Sequence, residues 1–221
     1  MGDDMTSPQA RVYPRTTLEF ERIAFFSDAI FAIAMTLLVI GLDVPSLAKE
    51  TSSSELWTAL GDAQPKIIIF FISFAVLGSF WMDHHRYVSR LVSVDRPTAG
   101  VILVYLSLIA FLPFPSGLLG QYSDNAVAVS FYAVCIAAIA LVSLVMTEIA
   151  RRHHLLRHPP TPEATTWQRV LSLVPALYFL ATVPLAFALP STAIYSWILL
   201  VPISWVLQRR MPKAVADYFD E

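Results

Sequence analysis

Asp28 is the first residue of this chain whose type and setting could do chemistry. It lies in Arg22-Ile-Ala-Phe-Phe26-Ser27-Asp28, directly ahead of the apolar run Ala29-Ile-Phe-Ala-Ile-Ala-Met-Thr36-Leu37-Leu-Val-Ile40. A carboxylate in apolar surroundings must be paired or must meet ions. Arg22 is badly spaced to pair with it on one helix, because helical neighbours lie three or four residues apart. The histidines of Asp83-His84-His85-Arg86 are the nearest candidates elsewhere. Two readings stand for the set Arg22, Phe26, Ser27, Asp28, His84 and His85: a polar brace between two helices, or an ion site. Ser27 and a histidine would also supply part of a hydrolytic set, but no Gly-x-Ser-x-Gly elbow or oxyanion-hole pattern accompanies them, so no enzyme is expected. His154 and His158 have the spacing of metal ligands on a helix. Pro159-Pro160 follows at once, which favours a solvated loop; neither a metal nor a cofactor is expected. Cys135, the single cysteine, sits mid-way in an apolar run and carries no metal motif.

These residues must be positioned by elements that belong in a bilayer. Of the 221 residues 56% are hydrophobic and only 14% charged, with a mean hydropathy of +0.61. A water-facing globule needs about a quarter of its residues charged. Asp, Glu, Lys and Arg are missing from Ile67–Met82, Pro97–Ser123, Asn125–Thr147 and Val170–Gln208. About 20 apolar residues cross a hydrocarbon core. The last run is long enough for two passes, turning at Ala188-Leu-Pro-Ser-Thr192. With the first helix, from about Leu18 to Ile40, the expected fold is an all-α integral membrane protein of six transmembrane helices. The others are expected near Pro65–His85, Pro97–Leu119, Asn125–Arg151, Trp167–Leu189 and Ser191–Gln208. The first run begins after a polar stretch and holds Ser27 and Asp28, so a retained helix fits it better than a cleaved signal.

The organisation expected is a disordered cytoplasmic arm over 1–17, one six-helix domain over 18–210 and a cytoplasmic tail over 211–221. Basic residues set the orientation. In a six-pass layout every Arg and Lys except Lys49 and Lys66 falls on one side, with both termini. That side is expected in the cytoplasm. The partners implied are the lipid bilayer and not nucleic acid, because no basic run is present.

The first helix carries one further pattern. At about 100° per residue, Arg22, Phe26, Ala29, Ile33, Leu37 and Ile40 share a stripe with Thr36 at its edge, and Asp28 lies about 140° round from Ile33. Such a stripe is ordinarily a packing face.

The Arg22-x-x-x-Phe26-Ser27-Asp28 signature and the run after it resemble the first helix of the transmembrane-protein-175 family of cation channels. The likeness extends to His84-His85 and to Phe111-Leu-Pro-Phe-Pro115. It implies a potassium-permeable, leak-type channel without a pore loop. It further implies a homotetramer in the plasma membrane of a prokaryote, its central pore lined by the first helix. On that resemblance Ile33, Leu37 and Ile40 form a hydrophobic pore constriction, and Thr36 is a selectivity candidate. Nothing acidic lies on the stripe, so preference for potassium over sodium, the monovalent cations in question, should be modest. An ion- or proton-coupled secondary transporter and a non-conducting membrane scaffold are the alternatives.

Overall fold

The structure is a computed structural model that describes residues 12–48 and 50–220. Residues 1–11 of the expected arm, and Lys49, lie outside the described residues. Six segments are long and apolar enough to cross a membrane: Leu18–Gly41, Gln64–Arg90, Arg96–Gln121, Ala126–Arg152, Pro162–Ala188 and Pro190–Arg210. The first is helix α1 (Leu18–Leu37) continued by a 3-10 turn (Leu38–Gly41). A short helix, α2 (Ser53–Asp62), precedes the second span, α3 (Gln64–Arg90). The third span is broken into α4 (Arg96–Phe111) and α5 (Pro113–Gln121). Helices α6 (Ala126–Arg152) and α7 (Pro162–Ala188) are the fourth and fifth. The sixth is α8 (Pro190–Ser196), a 3-10 turn and α9 (Leu200–Arg210); α10 (Lys213–Asp220) follows it.

The ends of these helices follow from local chemistry. Asp95 caps α4, its carboxylate accepting from the Thr98 amide at 2.9 Å, and Asn125 caps α6 through the Val127 amide at 2.9 Å. Thr161 does the same for α7, with Pro162 in the first turn, where a missing N–H costs nothing. The third span breaks at Leu112 because Pro113 and Pro115 cannot donate to the carbonyls below them. Pro175 and Pro184 lie inside α7 without dividing it.

Helix α6 is the spine of the bundle, packed against α4, α5, α7 and α8. Its buried face runs Ala128, Val129, Tyr132, Ala133, Ile136, Ala137, Ile139 and Ala140. The alanines let neighbouring helices approach closely, which is how helices associate where lipid removes the hydrophobic drive. The one large polar side chain on that buried face, Tyr132, is satisfied: the hydroxyl lies 3.1 Å from Ser73 of α3, which in turn accepts from Ser116 of α5 at 2.7 Å. The Tyr132 ring stacks on Trp197, whose indole donates to Thr182 at 3.2 Å.

The arginine-rich ends of the helices are gathered on one face. Two strands there, β1 (Val12–Pro14) and β2 (Ser93–Asp95), pair antiparallel. Arg15 donates to the carbonyls of Ser89 and Leu91, and the Val92 amide donates to Leu155 at 2.9 Å. The fold is therefore not purely helical. Residues 12–17, expected in the disordered arm, are ordered because their backbone finds a partner strand and Arg15 finds carbonyls. Helix α10 docks on the same face: Val215 is buried and the Tyr218 hydroxyl donates to the His158 carbonyl at 3.2 Å.

Candidate pore helix and its polar brace

Helix α1 touches the rest of the chain along a single stripe, Phe20, Ser27, Phe31, Ala34 and Leu38, against α3, α4 and α5. The opposite arc is uncovered. Ile33 is 54% exposed, Leu37 39% and Ile40 71%, and Arg22, Phe26 and Thr36 are exposed beside them. The structure thus puts the three candidate constriction residues and the selectivity candidate on one open face. Ile40 lies beyond the α-helix, in the 3-10 turn, where a tighter wind (about 3 residues per turn) shifts it from the angle an ideal helix would give. The helix was expected to reach Ile40; the 3-10 turn instead lies against α3 and α5, and a Cβ at Gly41 would stand 3.5 Å from the Gly117 backbone. The Thr36 hydroxyl is already satisfied, donating to the Ile33 carbonyl at 2.8 Å.

The signature residues separate into four environments. Asp28 does meet α3, but its partner is Trp81: the indole N–H donates to Oδ1 at 2.9 Å. His84, one turn further along α3, is buried at 3% exposure, and neither ring nitrogen has a hydrogen-bond partner among the described residues. Its ring is stacked 5.3 Å from Tyr105 and lies 5.7 Å from Phe31 and 6.1 Å from Tyr87. His84 thus packs among aromatic rings of α1, α3 and α4 and makes no hydrogen bond to Asp28 among the described residues. His85 packs its ring 5.5 Å from Trp81, supporting the indole that holds Asp28. Ser27 is buried and donates to the Ile23 carbonyl at 2.9 Å, so it is not placed as a nucleophile beside a histidine. Arg22 and Phe26 border a groove between α1 and α4, with Ile23, Ala99, Ile102, Leu103 and Leu106.

Sequence reading missed Trp81 as the partner of Asp28. The available signal was the indole N–H, a donor that usually finds a partner when it leaves water. His154 stands in a left-handed turn (φ 56°) after α6, and His158 in the loop beyond, so they share no helical face.

The family model for the endosomal/lysosomal potassium channel TMEM175 matches residues 22–113, which begin at the signature arginine and end in the third span. A Streptomyces collinus protein named a potassium channel is 33% identical over 174 residues, 76% of this chain and 83% of that one. The chain belongs to the TMEM175 family. A second potassium channel, from Chamaesiphon minutus, is 38% identical over 127 residues and 62% of its own length. The crystal structure of a lysosomal potassium-selective channel TMEM175 homolog from Chamaesiphon minutus superimposes with a TM-score of 0.63. It has 32% identity and covers 82% of this chain and 98% of that chain. The TMEM175 fold thus accounts for the six-span layout, and the family is one of ion channels and not of enzymes.

Proposed function

We propose that this chain is a potassium-permeable cation channel, a homotetramer whose pore is formed by α1 of each copy. Its relatives named potassium channels support the activity. The single observation that carries the pore assignment is the open arc of α1. The window of that span is 22% buried, as in α7 and against 17% in the second and sixth spans, so what singles out α1 is that its open arc follows the signature at which the family match begins. Ile33, Leu37 and Ile40 then form a neck in which a hydrated cation finds no oxygen ligand. Such a neck gates by dewetting and discriminates weakly between monovalent cations. Thr36 is the nearest hydroxyl to that neck and the candidate for what selectivity there is. Asp28, turned towards Trp81, braces α1 rather than facing ions.

The location proposed is the plasma membrane of a prokaryote, with both termini, and the tail over 211–221, in the cytoplasm. The gathering of arginines on the face that carries β1, β2 and α10 supports that orientation, and the bacterial origin of the named channels supports the membrane. A membrane-impermeant thiol reagent applied to intact cells is expected to label Ser53→Cys and not His158→Cys; the reverse would invert the topology. Purified protein in a planar bilayer, under opposing potassium and sodium gradients, is expected to give unitary currents. Gradient-coupled flux without unitary events would make the protein a transporter, and silence a scaffold.

A further inference from the structure

Near its C-terminal end α6 carries a charge cluster outside the pore machinery. Glu148 accepts from Arg151 at 2.7 and 3.1 Å, from Arg152 at 2.8 Å and, across to α7, from Arg169 at 3.2 Å. One carboxylate cannot neutralise three guanidinium groups, so the cluster keeps net positive charge. Arg152 reaches Glu148 through Nε alone, which leaves both terminal amino groups of a 69% exposed side chain without an acceptor among the described residues. Arg169, half exposed, commits one amino group.

These two arginines form the rim of an open groove of about 390 Å³ between α6 and α7. Its floor is Leu144, Val145 and Ile149, and Glu148 stands between floor and rim. From Leu144 to Arg152 the wall changes from apolar to cationic over about 12 Å of helix, the distance from hydrocarbon to headgroup level. The groove lies at the arginine-rich ends of its helices, where α6 closes on Arg151 and Arg152 and the early part of α7 carries Arg169.

We infer that this groove is a binding site for an anionic phospholipid, whose phosphate is held by Arg152 and Arg169 and whose acyl chain lies over Leu144, Val145 and Ile149. Charge complementarity chooses the occupant. A planar guanidinium with free amino groups takes a phosphate through paired N–H donors, and basic pockets between membrane helices on the cytoplasmic side suit acidic headgroups. Glu148 holds the arginines in place before the lipid arrives.

The test is native mass spectrometry of the full-length protein released from vesicles of equal phosphatidylglycerol and phosphatidylcholine. Wild type is expected to retain phosphatidylglycerol selectively. Arg152→Gln combined with Arg169→Gln should lower that retention roughly tenfold, from the loss of two interfacial arginines. Arg210→Gln, a basic residue on the same face but outside the groove, should leave it unchanged. Val145→Trp, which fills the floor and keeps the charges, should lower it too; it carries the test alone if the double variant does not fold. Equal retention by wild type and either groove variant would overturn the site, as would an equal loss in Arg210→Gln. Displacement of the lipid by millimolar inorganic phosphate would overturn the acyl half of the assignment. A Val145→Trp protein that loses its oligomeric state but not its lipid would make the groove an interface between copies.

Discussion

Helices α1 and α6 are both long, apolar and interrupted by few charges, yet the protein uses them in opposite ways. In its best membrane-spanning window α6 buries 44% of its positions inside the protomer, and α1 buries 22%. Small residues explain the first figure: Ala133, Ala137 and Ala140 let α4 and α7 close on the spine, and the single tyrosine among them finds hydroxyl partners. On α1 the large aliphatic residues are the ones left uncovered, while Ser27, Phe31, Ala34 and Leu38 face inward. Hydropathy therefore says that a helix enters the membrane and says little about what it meets there. Under the proposed channel reading, the uncovered aliphatic side chains of α1 are the ones available for assembly and permeation.

The largest effect should come from the spine. Tyr132→Ala opens a cavity beside Trp197 and strips Ser73 of a partner, and large-to-small core changes of this kind cost about 3 kcal/mol or more. Loss of most folded protein in size-exclusion chromatography is expected. A normally folded variant would mean that α6 is not the structural centre.

The contrast is sharpened by moving the same polar group across α1. Leu38→Asn puts an amide against α3 and α5 at a buried position and should damage folding, because an unpaired buried amide costs about 1–3 kcal/mol. Ile33→Asn puts it on the open arc, where it should leave the protein assembled, raise conductance and lower selectivity. Assembly lost with Ile33→Asn and kept with Leu38→Asn would turn the open arc into a packing face and move the pore elsewhere.

A smaller loss is expected from Trp81→Phe, which removes the donor to Asp28. Both partners are exposed, so the bond should contribute only about 1 kcal/mol, and thermal stability should fall slightly while the potassium-to-sodium permeability ratio stays where it was. Asp28→Asn keeps an acceptor for Trp81 and should be milder in stability. If either variant changes ion preference and leaves stability alone, Asp28 faces the permeating ions.

On the arginine-rich face, Asp95 offers a change by pH. Burial pushes its carboxyl up, but the Thr98 bonds and His153 outweigh it and hold the group below the usual carboxylate range. A carboxylate depressed in the folded state stabilises above its unfolded value of about 3.8 and loses that contribution as pH falls through its lower folded value. Hydrogen exchange around residues 92–98 should accelerate below about pH 4, and Asp95→Asn should remove that step. The smallest effect expected is at Thr36. Thr36→Val keeps shape and loses the hydroxyl, and a lower potassium-to-sodium ratio in an intact oligomer is the expected result. Since the hydroxyl already donates to Ile33, an unchanged ratio would leave it as part of the helix.

The sequence by itself determined the six spans, the arginine-rich face and the shared stripe of Ile33 and Leu37, because each is a local matter: run length, charge placement and the period of one helix. That the stripe is uncovered was decided by the tertiary structure. The sequence also placed the helix starts near Pro65, Asn125 and the Ala188–Thr192 turn, where proline and capping side chains act within a few residues. Tertiary structure alone decided the rest. It chose Trp81 over His84 for Asp28, since a partner on another helix depends on rotation and depth that no single helix encodes. It closed His84 among Phe31, Tyr87 and Tyr105 from three elements. It drew Val12–Pro14 out of the expected arm, because a strand is stable only when another supplies its hydrogen bonds, and β2 lies some eighty residues away.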